Sequence, residues 1–246
     1  MRTPLTGRRA LVTGASGGIG GAIALSLARA GAEVVLTYSS HRDDAEAVGR
    51  SIRELGGRAP VVRSDLSSPH AGRELVELVT ADVGPIDVLV ANAGVGRQAT
   101  WEQVDDELWD QTFAVNVTAS WQLTRAAAPG MVDRGFGRIL YVSSIAAITG
   151  GVIGPHYAAS KAALHGLMHH MATRLAPSGV TVNAIAPALI AGTRILPAGA
   201  ADRPPIPIPV GHLGSTQDVA AMALAMLTNP YLTNKLITLD GGIHPS

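Results

Sequence analysis

Short apolar runs alternate with helix-patterned stretches from one end of this chain to the other, and nothing else in the sequence restricts its fold as strongly. "RALVTG" is apolar, brief and stopped by Gly14. "GIGGAIALSLARAGA" repeats small and apolar residues at helical spacing as far as Gly31. "EVVLTY" is short and β-branched, and "DDAEAVGRSIRELGG" is an amphipathic helix ending at Gly56 and Gly57. The pattern continues with a third strand in "RAPVVRSD", a helix over 67–83, and a fourth strand in "IDVLVANAG". Two helices are expected near 104–116 and 117–133. "GRILYVSS" is the fifth strand, 155–176 a long helix, and "GVTVNAIAP" the sixth strand. A helix starts near Ser215 and "KLITLDGG" closes the set. Strands apolar on both faces, joined by right-handed helical crossovers, form a doubly wound parallel sheet. The expectation is one α/β domain over 1–246, Rossmann-type, with seven strands and helices on both faces. A 47% hydrophobic and 15% charged composition agrees and excludes a disordered chain.

The remaining composition removes function classes. Formal net charge is zero, so nucleic acid and anionic membranes have no electrostatic hold. There is no cysteine, hence no disulfide or thiolate metal site. "MRTPLTGRRALVTG" contains no apolar run that reads as a leader or a span, and the reading is a soluble, cytoplasmic protein. One stretch breaks the alternation: residues 191–214, "AGTRILPAGAADRPPIPIPVGHLG", rich in Pro and Gly. Ligands of such sheets bind beyond the carboxyl ends of the strands, so a long loop after strand six is a candidate substrate lid.

The turn after strand one, "VTGASGGIGG", is built to receive phosphates. Gly14 allows a tight turn, Gly18 and Gly20 allow close backbone approach, and the following helix offers free N–H groups; Ser16 and Ile19 fall within the same turn. The spacing is G-x-x-x-G-x-G, and a plain strand-to-helix turn could carry the same glycines. No Lys follows, so it is not a P-loop. An acid at the end of strand two would accept a ribose 2′-hydroxyl and repel a 2′-phosphate. Here that strand ends Tyr38, Ser39, Ser40, His41, Arg42, with no acid among them. This favours NADP(H) over NAD(H), although Asp43 and Asp44 dilute the positive field and Arg42 could be a solvated helix start. Asp65, with Leu66, ends strand three, where a carboxylate can accept an adenine amino group. Asn92, Ala93 and Gly94 end strand four, where small residues let backbone lie against a cofactor. Either could also be an ordinary cap. Pro187, the last residue of strand six, and Ile190, just beyond it, complete the cofactor-binding candidates.

The chain has seventeen arginines and two lysines. One lysine, Lys161, follows Tyr157 by four residues on a helix, so both lie on one face about 6 Å apart. An ammonium about 5 Å from a phenol, at an effective dielectric of about 20, is worth roughly 3 kcal/mol, or about two pKa units. The expectation is a Tyr157 pKa lowered toward working pH, suited to acid–base catalysis. The other lysine repeats the spacing, Tyr231 and Lys235, without a helix or a hydroxyl upstream, and is an internal control. What separates the pairs is Ser144, thirteen residues before Tyr157 at the end of strand five, where its hydroxyl can hold a carbonyl oxygen.

Taken together, "TGASGGIG", "NAG", Asn116 of "FAVNVT", Ser143–Ser144 and "YAASK" resemble the classical short-chain dehydrogenase/reductase family, in order and spacing across essentially the whole chain. The resemblance implies an oxidoreductase that passes hydride between a nicotinamide and a carbonyl carbon. It also implies a catalytic tetrad of Asn116, Ser144, Tyr157 and Lys161, with Tyr157 as acid or base, Lys161 also holding the cofactor ribose, and a water near the Asn linking Lys161 to solvent. From the residues alone, Asn116 could equally be a polar break between two helices. "VGHLGSTQDVA" and the terminal "DGG" look like the 3-oxoacyl-carrier-protein reductase-like branch. Three positions depart from the family: Pro187-Ala188 where Pro-Gly is usual, Thr193 one position late, and Gly17 where an Arg often precedes the second glycine.

A carrier protein is acidic and would need a basic patch at the cleft. Arg134, Arg138 and Arg174 are present but interrupted by Asp133, Pro177 and Ser178, so no clear patch is read, and an acyl carrier protein stays an open partner. The lid's Ile195, Leu196, Ile206 and Ile208, with five prolines, suit a small hydrophobic carbonyl compound, or pack on the body or a neighbouring subunit. His156 reads as structural or rim. His165 and His169 stand at i, i+4 without an acidic third ligand, so no metal is expected. The competing functions are an NAD-linked sugar, polyol or alcohol dehydrogenase and a non-catalytic dinucleotide-binding regulator. The resemblance further implies a homotetramer, the helices near 117–133 and 155–176 pairing across a two-fold.

Overall fold

The computed structural model describes residues 4–196, 199, 204 and 206–245. Seven strands form one parallel sheet: β1 (Arg9–Val12), β2 (Glu33–Tyr38), β3 (Val61–Arg63), β4 (Val88–Ala91), β5 (Gly137–Val142), β6 (Val180–Pro187) and β7 (Leu236–Leu239). Their order is β3-β2-β1-β4-β5-β6-β7, so the direction of winding reverses between β1 and β4. Register there pairs Ala10 with Val88 and Val12 with Val90. The carboxyl ends beside that reversal are where this architecture leaves a crevice.

Each central strand feeds two cores by the period of two. In β1, Ala10 and Val12 enter the core on one face and Leu11 the core on the other; in β4, Val88 and Val90 oppose Leu89 and Ala91; in β5, Leu140 and Val142 oppose Ile139 and Tyr141. Every one of these side chains is buried. Burying a Val, Leu or Ile contributes about 1.5–3 kcal/mol, so alternation on both sides fixes the register of the sheet. The first core is covered by α1 (Gly18–Arg29) and α8 (Thr216–Thr228) with α2 (Arg42–Glu54) beside them. The second is covered by α3 (Ala71–Asp82), α5 (Ala119–Asp133) and α7 (Pro155–Leu175).

Most boundaries fall where the sequence puts them, and three differ. The third helix begins at Ala71 rather than 67, because Asp65 and Ser67 form a hydrogen-bonded turn first. The two helices expected around residue 116 are one path: α4 (Asp106–Phe113) continues through a π turn (Ala114–Thr118) into α5. A four-residue helix, α6 (Ala146–Thr149), sits inside the stretch after β5 and was not expected. The region 191–214 leaves β6 and returns to α8. Its neck is tied by Ala191 N to Gly214 O (2.8 Å) and Gly214 N to Leu189 O (3.1 Å). Two of the five prolines expected to stiffen it, Pro197 and Pro205, lie outside the described residues. Among the described residues no helix is long and apolar enough to cross a membrane.

Candidate active site and dinucleotide cleft

The turn after β1 is shaped by its glycines and by one threonine. Gly14 has φ +65°, and a Cβ there would come within 2.9 Å of Ala93 Cα. A Cβ on Gly20 would fall on the Gly14 carbonyl oxygen and on Asn92 Nδ2, so helix and strand meet there with no room for a side chain. Asn92 clamps the two strand ends at the reversal: its Nδ2 donates to Thr13 O (2.9 Å) and Gly14 O (3.1 Å). The Thr13 hydroxyl accepts from Asn92 N and Ala93 N, both at 3.1 Å. Thr13 is 1% exposed, and a threonine at the end of an apolar run carries no local mark of this role. At α1 the cap is Gly17, with no side-chain cap and no acid in the first turn, so its N–H groups face the cleft unclaimed by side chains.

A long cleft follows from this turn. Gly14, Ser16, Gly18, Ile19 and Gly20 line one wall; Tyr38 and Ser39, with Ser40 and His41, line the end of β2; Asp65 and Leu66 that of β3; Asn92, Ala93 and Gly94 that of β4. Asp65 Oδ1 accepts from Ser67 N and Oγ, which hold its carboxyl below the usual range. Arg42 is not among the lining residues; it is an exposed first residue of α2. Two other guanidinium groups do reach the cleft, those of Arg97, after β4, and Arg194, in the segment after β6. Arg194 is far from Arg42 along the chain, so no local pattern could have exchanged one for the other. Unclaimed helix N–H groups, side-chain-free glycines and hydroxyls at the end of β2 form a donor set that fits a nicotinamide dinucleotide.

At its far end the cleft opens into an apolar pocket; Ile19, Asn92, Gly94, Thr193 and Ile195 belong to both. Ser144, Tyr157, Lys161, Pro187 and Ile190 line this pocket together. Ser144 Oγ accepts from Ala146 N (3.2 Å), the start of α6, which fixes the hydroxyl and leaves its proton to donate elsewhere. Tyr157 is 6% exposed, and the other tyrosine of a Tyr-x-x-x-Lys pair, Tyr231, is 97% exposed in a loop. The spacing alone therefore carried no information; burial at the sheet edge distinguishes the two.

The electrostatics reverse one expectation. Burial pushes the Tyr157 phenol up, with the Ser144 hydroxyl opposing it in part. The expected two-unit drop from Lys161 is not realised, for two reasons. Lys161 Nζ stands 5.7 Å from the Tyr157 ring centroid and donates instead to the Val142 carbonyl at 2.8 Å. Lys161 is also buried, which lowers its own pKa to about 8 and so thins its charge near that pH.

Asn116 lies outside the pocket wall, behind Gly94. Its Oδ1 accepts from Val95 N (2.9 Å), and its Nδ2 donates to Val95 O (3.0 Å) and Ser160 Oγ (2.9 Å). It ties the loop after β4 to α7 from the middle of the π turn, a geometry that often marks functional helices. A Cβ on Gly94 would lie 3.1 Å from Lys161 Nζ and 3.3 Å from Asn116 Oδ1, so these two groups flank one side-chain-free point. Ser143, between strand and site, donates to Lys161 O (3.0 Å) and meets His165 Nε2 at 2.8 Å. His169 Nδ1 meets Asn234 Oδ1. His156 is fully buried, and burial lowers its pKa, so it is a neutral ring under the loop at Ala99 and Gly154.

Similarity to known proteins agrees with this geometry. Residues 8–203 match the family described as short chain dehydrogenase. The chain belongs to that family. It is 38% identical over 241 residues to acetoacetyl-CoA reductase of Rhizobium meliloti (strain 1021), covering 96% of this chain and 98% of that one. It is 34% identical over 251 residues to an L-rhamnose 1-dehydrogenase (NADP(+)) of Thermoplasma acidophilum, covering 96% of each. A crystal structure of a 3-oxoacyl (acyl-carrier-protein) reductase from Agrobacterium tumefaciens C58 with NADP bound superposes with TM-score 0.88 at 34% identity, over 97% of this chain and 95% of that one. This short-chain dehydrogenase is an oxidoreductase of the carbonyl–alcohol class, working with a nicotinamide dinucleotide.

Proposed function

We propose that the chain is an NADP(H)-preferring carbonyl reductase acting on a small ketone or 3-oxoacyl compound, with the site in the pocket after β5. The observation that carries this is the convergence of Ser144, Tyr157 and Lys161 in one apolar pocket continuous with the dinucleotide cleft. Ser144 holds the substrate carbonyl oxygen. Tyr157, kept protonated by burial, donates its proton to that oxygen as the alcohol forms. Lys161 holds ribose hydroxyls and restores the proton to the phenolate, and Asn116 positions both the loop after β4 and α7 as the fourth member of the tetrad. The bound dinucleotide supplies the hydride. Gly14, Ser16, Gly18, Ile19 and Gly20 hold its phosphates, and Tyr38 and Ser39 face its ribose.

The NADP(H) preference is supported by hydroxyls and an imidazole, with no acid, at the end of β2. Titration of purified protein with NADPH and NADH, followed by nucleotide fluorescence, is expected to give at least roughly tenfold tighter binding of NADPH. Equal binding would return the choice to the NAD-linked alternative. The substrate reading is supported by pocket walls of Ile145, Val152, Ile153, Leu189, Leu196 and Ile206 around about 140 Å³, which disfavour a polyol. Arg134 and Arg138 do not serve an acyl carrier: Arg134 pairs with Asp87, and Arg138 is buried beside Phe136 at the amino end of β5, away from the cleft at the carboxyl ends. The homotetramer expected of the family would bury α5, where Trp121 is 40% exposed. Light scattering after size exclusion is expected to give four times 25.3 kDa; a monomer would overturn it.

A further inference from the structure

The lid reaches back over the glycine turn through a single side chain. Arg194 Nη2 donates to the Ser16 carbonyl oxygen at 3.3 Å and pairs with the Asp44 carboxylate at 2.5 Å. Ser16 lies in the turn between β1 and α1. Asp44 lies in the first turn of α2, three residues after His41, the last of the cleft-lining residues that follow β2. The guanidinium therefore stands where the turns after β1 and β2 meet. In a doubly wound sheet, that corner lies beside the 2′ position of the adenosine ribose. The groups that could have supplied positive charge from those turns do not: Gly17 has no side chain and Arg42 lies outside the cleft wall.

We propose that Arg194 is the residue that reads the ribose 2′-phosphate, with Asp44 as the counter-ion it holds until that phosphate arrives. This rests on the NADP(H) reading above. A guanidinium presents five donors in a planar fork, so it can keep Ser16 O and turn its other N–H groups to a phosphate. Its side chain and that of Asp44 are each about half exposed, which leaves the pair free to rearrange. Asp44 would repel a dianionic phosphate and attracts the arginine that binds one, so it sets the threshold for exchange. Cofactor choice thereby resides in the lid instead of in the strand-two turn. The same segment walls the substrate pocket through Ile195 and Leu196, and a Cβ on Gly18 would lie 3.8 Å from Thr193 Cγ2.

The test is calorimetric titration of the intact chain with 2′,5′-ADP, 5′-ADP, NADPH and NADH, on the natural protein, Arg194→Met, Arg194→Lys and Asp44→Asn. Arg194→Met is expected to weaken 2′,5′-ADP and NADPH about 10- to 30-fold, the scale of one charge-assisted contact, and to leave 5′-ADP and NADH within about twofold. Arg194→Lys should fall between. Asp44→Asn should tighten the two 2′-phosphorylated ligands about threefold or more and leave the other two unchanged. Equal weakening of all four ligands by Arg194→Met would overturn the proposal, since it marks a contact to the shared diphosphate. No change in any would overturn it too, as a surface ion pair only. Absence of NADPH preference in the natural protein would overturn the NADP(H) reading itself. A preference that survives in Arg194→Met would overturn this assignment alone.

Discussion

Tyr157→Phe is expected to lower kcat for ketone reduction by about 10³-fold or more while leaving the NADPH dissociation constant within about twofold. Positioned proton transfer is worth about 10²–10⁴ in rate, and Ser144, the other hydroxyl expected at the carbonyl oxygen, is far weaker as an acid there. The substitution removes one oxygen from a ring already packed against Gly96 and Ile153, so the fold is not disturbed. The raised phenol pKa gives the direction of the pH dependence. Tyr157 stays protonated through neutral pH, so reduction of a ketone should be flat across that range and decline only once the phenol ionises. Oxidation of the alcohol needs the phenolate and should climb with pH over the same range. Steady-state rates in both directions from about pH 6 to 10 check this. Activity of the Tyr157→Phe variant within about tenfold of the natural enzyme would remove Tyr157 from the reaction, and a reduction rate that falls between about pH 6 and 8 would contradict the buried, protonated phenol.

How much of this was legible beforehand follows the range of the interactions. The strands are read from short runs, because burial on both faces leaves an unbroken apolar stretch. Ser144, Tyr157 and Lys161 are read from spacing plus the rule that ligands sit beyond strand ends. What sequence could not supply depends on contacts distant in the chain. The guanidinium beside the turns after β1 and β2 comes from Arg194, which meets Asp44 across 150 positions, whereas the local pattern offered Arg42. The π turn at Asn116 looks like two helices because one extra residue shifts the apolar register without any Pro or Gly to mark it. Thr13 is hidden because its hydroxyl partners come from the end of β4. Tyr141 and Tyr157 are both buried tyrosines near the same strand. Tyr141 spends its hydroxyl on Thr124 at 2.7 Å in the second core, and Tyr157 borders a pocket. Only the sheet, once assembled, separates them. The lowered Tyr157 pKa failed for a related reason: a Coulomb estimate from spacing holds the lysine's charge fixed and ignores the burial of both groups.

That burial leads to the second large effect. Lys161→Met is expected to abolish most activity and yet to stabilise the cofactor-free protein near neutral pH. Lys161 is 3% exposed, and burial brings its pKa from 10.5 to about 8. Between those two values the unfolded chain binds a proton that the folded chain does not, so stability rises with pH across that window. Below about pH 8 the folded protein carries a buried ammonium whose cost, from a shift of roughly 2.5 units, is about 3 kcal/mol. The Nζ bond to the Val142 carbonyl returns about 1 kcal/mol. Methionine fills a similar volume without the charge, and its net gain at about pH 7 is about 2 kcal/mol, or roughly 4–8 °C in Tm for a chain of this size. The gain should shrink as pH rises from about 8 toward 10.5 and vanish above it, where the natural lysine is neutral in both states. Denaturant unfolding of both proteins at about pH 7, 9 and 10.5 measures it. A variant less stable at neutral pH, or a difference that does not narrow with pH, would refute the buried-charge account. The same balance explains a lysine in a chain that otherwise uses arginine. An arginine would stay charged and hold its full burial cost at every working pH, whereas Lys161 can give up its proton near pH 8.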